Sequence, residues 1–212
     1  IVGWGAKNLR ILNNTVTRAW RGGIYVGHDL FGNTYDITID GNTVFNNVVM
    51  NETHNMTSGG WGQSISVQYV DRANITRNRV YQNDGEGIVV LLSDNVLVQS
   101  NEVSDSFSEG IYLDNAQYTK VNANLVYSSG NTRYYRNGLP AAGIGTANES
   151  YGTLNRLTDL IITNNIVVDT RWGFYYGAYE AAGGLKNTTV ANNTFYRSAA
   201  AMVWIEADAH SG

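Results

Sequence analysis

Ile75-Thr-Arg-Asn78-Arg-Val80 and, 23 residues later, Val98-Gln-Ser-Asn101-Glu-Val103 follow one pattern: an aliphatic residue, two spacers, an asparagine, one spacer and a second apolar residue. The pattern occurs seven times, and its asparagines are Asn14, Asn42, Asn78, Asn101, Asn124, Asn165 and Asn193. The shortest step between them is the period of the repeat, and the longer steps fit the same unit with inserted loops. A repeat of this length indicates a solenoid.

Each repeat also contains a second short apolar segment, as in Gly87-Ile-Val-Val90 and Gly110-Ile-Tyr-Leu113. These segments are rich in β-branched residues and are bounded by Gly, Asn, Asp and Ser, which predicts strands and turns. Parallel strands that stack turn upon turn, at about 4.8 Å, place alternate side chains inside the coil. We expect interior columns formed by Ile24, Val26, Ile88, Val90, Ile111 and Leu113.

The recurrent asparagine is best interpreted as a structural residue. At a turn, its side-chain amide can bond the asparagine of the next turn and satisfy bent backbone. The repeat therefore predicts a fold and leaves the chemistry to other residues.

Two motifs carry a resemblance to a known family, Asn95-Val-Leu-Val-Gln-Ser-Asn101-Glu-Val103 and Glu109-Gly-Ile-Tyr-Leu-Asp-Asn115. With them the chain resembles the pectate-lyase-like superfamily, in particular the Asn-rich β-helix repeats of secreted carbohydrate-acting proteins. The resemblance covers about residues 8–206. It implies an all-β fold, a single-stranded right-handed parallel β-helix of about seven turns, and an extracellular or cell-surface location. We expect residues 1–212 to form one β-helix domain that is part of a longer chain or assembly.

Composition argues against several classes of partner. The net charge is −4, and the 14 Lys and Arg residues are scattered, whereas a nucleic-acid groove needs them clustered. The scattered distribution of Lys and Arg also disfavours a lyase that acts on acidic polysaccharides, because such an enzyme needs a basic cleft. No apolar run is long enough for a membrane span, and the absence of cysteine excludes disulfides and thiolate metal sites.

Insertions and one outer face are where a solenoid usually carries its function. The first large insertion spans about residues 46–63 and contains His54 and Trp61. The second spans about residues 128–142 and contains Arg133 and Arg136. The two insertions would wall a shared cleft if they leave the coil on the same side.

Aromatic residues make up 11% of the chain and include 14 tyrosines, which favours sugar binding. Aromatic rings stack on the apolar faces of sugars, while their polar tips form hydrogen bonds. We expect Tyr25, Tyr112 and Tyr175 to be exposed, because they occupy outward strand positions. The candidate substrate-binding residues are Tyr25, Trp61, Tyr112, Trp172, Tyr175 and His54.

Glu86 and Glu109 form the sharpest acidic feature, since each precedes a Gly-Ile pair in consecutive turns. Stacking would place their Cα atoms about 4.8 Å apart. Two carboxylates about 5 Å apart serve a retaining glycosidase as nucleophile and acid/base. With Asp114 nearby, the pair is a candidate catalytic set. Calcium binding through the same oxygens, and a plain role as solvated surface residues, are the two alternatives. Apart from that possible Ca²⁺, the sequence predicts no cofactor.

Asparagine sequons also occur, and those in insertions, Asn51, Asn55 and Asn148, are the better candidates for glycosylation.

Two functional hypotheses follow from these features. In the first, the chain is an extracellular carbohydrate-active module that cleaves a polysaccharide in a groove on the outer face, with hydrolysis favoured and lyase-type cleavage as the alternative. In the second, it is a non-catalytic structural or adhesive solenoid that associates end to end.

Overall fold

The computed structural model describes residues 1–56, 60–149, 157–179 and 184–206, in which 22 strands, numbered along the chain, form three parallel sheets. The first sheet contains β1 (Val2–Trp4), β4 (Ile24–Gly27), β7 (Gln63–Gln68), β10 (Glu86–Leu91), β13 (Glu109–Asp114), β16 (Ala142–Ala147), β19 (Trp172–Gly177) and β22 (Ala201–Ile205). The second contains β2 (Arg10–Leu12), β5 (Thr34–Asp40), β8 (Val70–Thr76), β11 (Asp94–Gln99), β14 (Lys120–Asn122), β17 (Ile161–Thr163) and β20 (Thr189–Ala191). The third contains β3 (Thr15–Thr17), β6 (Thr43–Phe45), β9 (Arg79–Asn83), β12 (Glu102–Ser106), β15 (Leu125–Tyr127), β18 (Ile166–Val168) and β21 (Thr194–Tyr196).

The chain passes through the three sheets in turn, so that each turn adds one strand to each sheet. This is a parallel β-helix of seven full turns, to which β22 adds the first strand of another. The register follows the sequence repeat: Ile88 of β10 pairs with Ile65 of β7 and with Ile111 of β13. The predicted architecture and number of turns are thus confirmed.

The interior of the coil is a continuous apolar core. Each of the six predicted column residues is fully buried in it: Ile24, Val26, Ile88, Val90, Ile111 and Leu113. β-Branched and aliphatic side chains suit these positions because they pack well between closely spaced parallel strands.

The asparagines form a hydrogen-bonded ladder at the corner between the second and third sheets. Asn101 donates from its side-chain nitrogen to Oδ1 of Asn124, 3.0 Å away, and its own Oδ1 accepts from the backbone and side chain of Asn78. The same contacts join Asn14 to Asn42 at one end and Asn165 to Asn193 at the other. The ladder satisfies buried backbone at each turn, which confirms its structural role.

Both large insertions leave the coil at the same corner, between the third sheet and the first. The earlier insertion lies between β6 and β7 and includes a 3-10 helix at Val49–Asn51, and the later lies between β15 and β16 and includes another at Thr132–Tyr134. They therefore meet beside the first sheet. Within the described ranges, neither of these short helices has the length or apolar character needed to cross a membrane.

Candidate functional site

A cleft of about 420 Å³ opens on the outer face of the first sheet. Its carboxylates come from Glu86, Glu109, Asp114 and Glu149. Its aromatic walls are Trp61, Tyr112 and Tyr179, and Arg136 projects into it from the second insertion. The cleft thus brings together the three predicted catalytic residues and two of the predicted sugar-binding residues.

Glycines turn the two central glutamates toward the cleft. A Cβ on Gly87 would lie 2.8 Å from Cγ1 of Val103, and one on Gly110 would lie 2.5 Å from Cγ1 of Val126, so both glycines face the interior. The residues before these glycines, Glu86 and Glu109, both line the cleft. The register that pairs Ile88 with Ile111 then sets Glu86 beside Glu109 on neighbouring strands.

The two glutamates are buried, with only 6% and 7% of their surfaces exposed. The alternative of solvated surface residues is therefore wrong. Burial, and then the charge of Glu109, raise the pKa of Glu86 well above its usual value, although a hydrogen bond from Gln63 opposes the effect. Burial raises the pKa of Glu109 to about 7, although the positive charges of Arg136 and Arg171 act to lower it. The pKa values of the two neighbouring glutamates are thus set by different charged and polar groups around them.

One oxygen of Glu109 has no hydrogen-bond partner among the described residues. This atom, Oε2, is buried. It lies next to Gly145 of β16, where a Cβ would approach it to 2.8 Å. The glycine therefore leaves room for the carboxylate, and a buried anionic oxygen without a donor is available to a ligand.

The two insertions are clasped together by Asp84. Its Oδ1 lies 2.7 Å from Nε2 of His54 and 3.1 Å from Nη2 of Arg133, so one buried carboxylate joins both insertions to the turn before β10. His54 also stacks on Phe107, with ring centroids 4.3 Å apart. The two insertions therefore share one wall of the cleft, as expected if they left the coil on the same side.

The same packing places Trp61 and Arg136 in the lining of the cleft. Trp61 packs edge-on against Phe107, and the guanidinium of Arg136 lies 5.3 Å from the Trp61 ring centroid. Arg136 also donates to Oγ of Ser108, at 3.2 Å. Arg136 is thus held beside the glutamates, where its charge acts on Glu109.

The expected exposure of Tyr112 and Tyr175 is wrong. Both face outward from the coil, but they are 7% and 4% exposed. Tyr112 packs with Val89 and donates from its hydroxyl to Oε1 of Glu149, at 2.6 Å, whereas Trp172 stacks on Tyr175 at 4.7 Å. Burial, reinforced by nearby acidic groups, raises the pKa of Tyr112 well above its usual value. Tyr112 is thus covered by neighbours from other turns, whereas Tyr175 is covered by Trp172 of its own strand and contacts Tyr179 just beyond it.

Four of the predicted substrate-binding residues lie outside the cleft lining: Tyr25, Trp172, Tyr175 and His54. Tyr25 is half-buried and lies farther along the same sheet. Tyr175 meets the cleft through its hydroxyl contact with Tyr179, which does line it. His54 contacts Asp84 instead of the cleft interior.

Sequence reasoning missed five polar or aromatic residues of the lining: Gln63, Ser108, Arg136, Glu149 and Tyr179. Ser108 precedes Glu109 directly, so its position beside the pair was a usable signal. Gln63 also carried a usable signal, because it stands in register with Glu86 on the neighbouring strand. Arg136, Glu149 and Tyr179 lie outside the strands, in segments that carry no periodic signal.

The described residues contain no group of three or more His, Asp or Glu side chains placed to hold a metal ion. Calcium binding by the glutamate pair stays a prediction. Of the three candidate glycosylation sites, Asn51 and Asn148 are buried, and their side-chain nitrogens donate to the carbonyls of Asp84 and Gly184. Asn55 is exposed, and its glycosylation also stays a prediction.

The fold and the cleft define a class: parallel β-helix proteins with a concave site on the outer face of one sheet. A sequence-family model described as "Right handed beta helix region" matches residues 1–195. The chain therefore belongs to the right-handed β-helix family, which confirms the predicted resemblance and fold class.

Solved structures similar to the chain include two enzyme modules from Azotobacter vinelandii. The A-module of the mannuronan C-5 epimerase AlgE4 is 14% identical, with a TM-score of 0.70 over 97% of this chain and 51% of that one. The A-module of the mannuronan C-5 epimerase AlgE6 is 15% identical, with a TM-score of 0.56 over 97% of this chain and 53% of that one. The chain thus spans about half the length of each module, and the likeness shows a shared fold. No curated protein matches the chain in sequence.

Proposed function

We propose that the chain is a carbohydrate-active module that hydrolyses glycans in the cleft on the first sheet. The observation that carries the proposal is the neighbouring pair of buried glutamates, Glu86 and Glu109, in a cleft with aromatic walls. The fold neighbours support it at the level of fold, because their names describe action on a polysaccharide. We extend the proposal to an extracellular or cell-surface location, as the family resemblance implies.

The two glutamates suit the two roles of a retaining glycosidase. Residues paired on adjacent strands have Cα atoms about 4.8 Å apart, which fits the carboxyl separation of about 5 Å that retention requires. Glu86, whose pKa burial and the charge of Glu109 raise well above its usual value, is the proton donor of the pair and serves as general acid. Glu109, with a pKa of about 7 and Arg136 nearby, supplies the carboxylate nucleophile.

The proposed reaction has two steps. Glu86 donates its proton to the glycosidic oxygen while a Glu109 oxygen attacks the anomeric carbon, so that the leaving sugar departs and a glycosyl ester forms on Glu109. Glu86, now a carboxylate, takes a proton from water, and the resulting hydroxide displaces Glu109 from the anomeric carbon. Both glutamates return to their starting protonation states.

The other cleft residues bind and orient the sugar. The exposed ring of Tyr179 offers an apolar face for stacking, the buried Trp61 forms the wall that holds Arg136, and Tyr112 is fixed by its bond to Glu149. Asp114, on the same strand as Glu109, accepts hydrogen bonds from sugar hydroxyls. These assignments retain Asp114, Trp61 and Tyr112 from the sequence-based prediction.

Hydrolysis of neutral glycans is favoured over chemistry on acidic polysaccharides. Arg136 is the one basic side chain in the described lining, which also contains four acidic residues. A polyanion would meet this negative field with repulsion. We therefore do not transfer to this chain the mannuronan epimerisation that names its fold neighbours.

A non-catalytic structural or adhesive solenoid is the second candidate. In this candidate the solenoid needs no turnover and associates end to end with other copies or neighbouring domains. Sedimentation that shows concentration-dependent assembly, together with silence in every turnover assay, would support this reading.

The test of the proposed function is a turnover screen. The purified chain is incubated with neutral, amino-substituted and uronate polysaccharides, with and without Ca²⁺, and new reducing ends and unsaturated products are measured. We expect new reducing ends without unsaturated products. Unsaturated products would point to a lyase, and binding without any product would favour the non-catalytic candidate.

A further inference from the structure

An aromatic surface adjoins the cleft on the outer face of the same sheet. Trp4 of β1 stacks on Tyr25 of β4, with ring centroids 6.3 Å apart and planes 23° apart. Trp4 also packs against the ring of His28, at 5.2 Å. It nevertheless stays 54% exposed. We call Trp4, Tyr25 and His28 the aromatic platform.

Glycines orient the platform outward, as they do the cleft glutamates. A Cβ on Gly3 would lie 2.7 Å from Cδ2 of Leu9, so Gly3 faces the interior and Trp4, the next residue, faces outward. A Cβ on Gly27 would lie 2.8 Å from the hydroxyl of Tyr25. The missing side chain lets the tyrosine ring lie along the sheet surface.

A row of side chains connects the platform to the cleft. The hydroxyl of Tyr25 donates to Oε1 of Gln68, 3.1 Å away. Gln68 pairs in register with Leu91, and Leu91 pairs with Asp114, and the last two line the cleft. From β1 to β13 the row crosses four strand spacings, or about 19 Å.

We propose that the aromatic platform is a distal binding subsite for a linear glycan whose reacting bond lies in the cleft. The proposal rests on the proposed function, because the cleft and the platform would hold one continuous sugar chain. The exposed ring of Trp4 would stack on the C–H face of a sugar, and Tyr25 and Gln68 would hydrogen-bond its hydroxyls. The site therefore selects for chain length.

Calorimetric titration with disaccharides and octasaccharides tests this subsite. The probes are cello-, xylo- and manno-oligosaccharides, added to chains in which Glu109→Gln prevents turnover, with and without Trp4→Ala. We expect the octasaccharide of the preferred series to bind the chain that keeps Trp4 at least about tenfold more tightly than its disaccharide. Trp4→Ala should lower the ratio of octasaccharide to disaccharide affinity about tenfold. Trp4→Phe, which keeps a ring, should restore most of that ratio.

Tyr196→Ala is the matched control, because Tyr196 on the third sheet is also 54% exposed and lies on another face. It should leave the length preference unchanged. Equal binding of long and short oligosaccharides, no binding by any probe, or an unchanged preference in Trp4→Ala would overturn the subsite. Length-dependent binding, with no turnover when Glu109 is intact, would instead refute the hydrolytic function and leave the subsite standing.

Discussion

Glu109 is the residue on which the proposed chemistry depends most. It must be ionised to act as nucleophile, yet burial raises its pKa to about 7. The charge that most opposes this effect belongs to Arg136, which is anchored by Trp61 and Ser108. The protonation of the nucleophile is thus set partly by an insertion.

Arg136→Gln should raise the pKa of Glu109, because it removes a positive charge that favours the carboxylate. At neutral pH less of the enzyme would then hold the ionised nucleophile. We expect the acidic limb of the pH profile of kcat/KM to move up by about one pH unit.

Arg79→Gln is the control for this measurement, because Arg79 pairs with Glu102 on the third sheet. Its acidic limb should match that of the wild type. An acidic limb that stays in place in Arg136→Gln would mean that Glu109 is not the titrating group.

Sequence reasoning reached the glutamate pair because both residues keep the 23-residue register. It could not establish their burial, since the cleft around them is also lined by Trp61 and Tyr179, which the repeat does not place. It placed Tyr112 in solvent because the repeat gives no sign of its contact with Glu149. If strand residues alternated strictly, Glu86, two positions before the inward Ile88, would also point inward. The rule fails at this corner because Gly87 faces the interior as well.

At the scale of structural elements, the asparagine ladder is what ties successive turns together at one corner. The positions of its asparagines could be predicted from the sequence, because hydrogen bonding between turns requires one asparagine per turn, whatever the length of the loops. The interior columns were readable because strand alternation is strict along the middle of each strand. Where strands meet insertions, no such regularity exists.

Asn101→Ala should destabilise the fold strongly. The side chain of Asn101 is buried, and its loss would leave the backbone N–H of Asn78 and the carbonyl of Ile75 without these partners. Since each buried polar group left unpaired costs about 1–3 kcal/mol, we expect the free energy of unfolding to fall by about 3 kcal/mol. Urea denaturation of the wild type and of Asn101→Ala measures this loss in the free energy of unfolding.

Asn14→Ala is the matched control, because Asn14 is the exposed first member of the ladder and accepts no bond from a preceding asparagine. Its substitution should cost less than about 1 kcal/mol. Similar losses for the two variants would show that the ladder is not the source of stability.

At the scale of the whole molecule, the two insertions act as one wall because Asp84 holds them. Arg133 contacts both carboxylate oxygens of Asp84 and the backbone carbonyl of Glu52, so the second insertion is anchored on the first. Composition and spacing identified both insertions, but this contact joins residues 49 positions apart and has no sequence signature.

Asp84→Asn should loosen the wall. The neutral amide cannot replace a buried carboxylate between His54 and Arg133, and because Arg133 is nearly half exposed, breaking the contact costs about 1–3 kcal/mol. We expect faster proteolysis within residues 46–63 and 128–142, mapped by mass spectrometry. The acidic limb of the pH profile should also rise, because Arg136 would no longer be held beside Glu109.

Asp40→Asn provides the comparison, since Asp40 pairs with the exposed Arg77 on the second sheet and such surface pairs contribute little. It should show neither effect. If the two insertions of Asp84→Asn resist proteolysis as they do in the wild type, then Asp84 does not hold them together.

The most direct test of the account is the release of reducing ends by four proteins on the preferred glycan: the wild type, Glu86→Gln, Glu109→Gln and Glu102→Gln. Both cleft variants should lose at least about 10³-fold in kcat and still bind the glycan, because each removes one half of the acid and nucleophile pair. Glu102, which bonds Tyr127 on the third sheet, serves as the charge-matched control and should retain turnover when substituted. Full activity in either cleft variant would contradict the assignment of the glutamate pair as the catalytic centre.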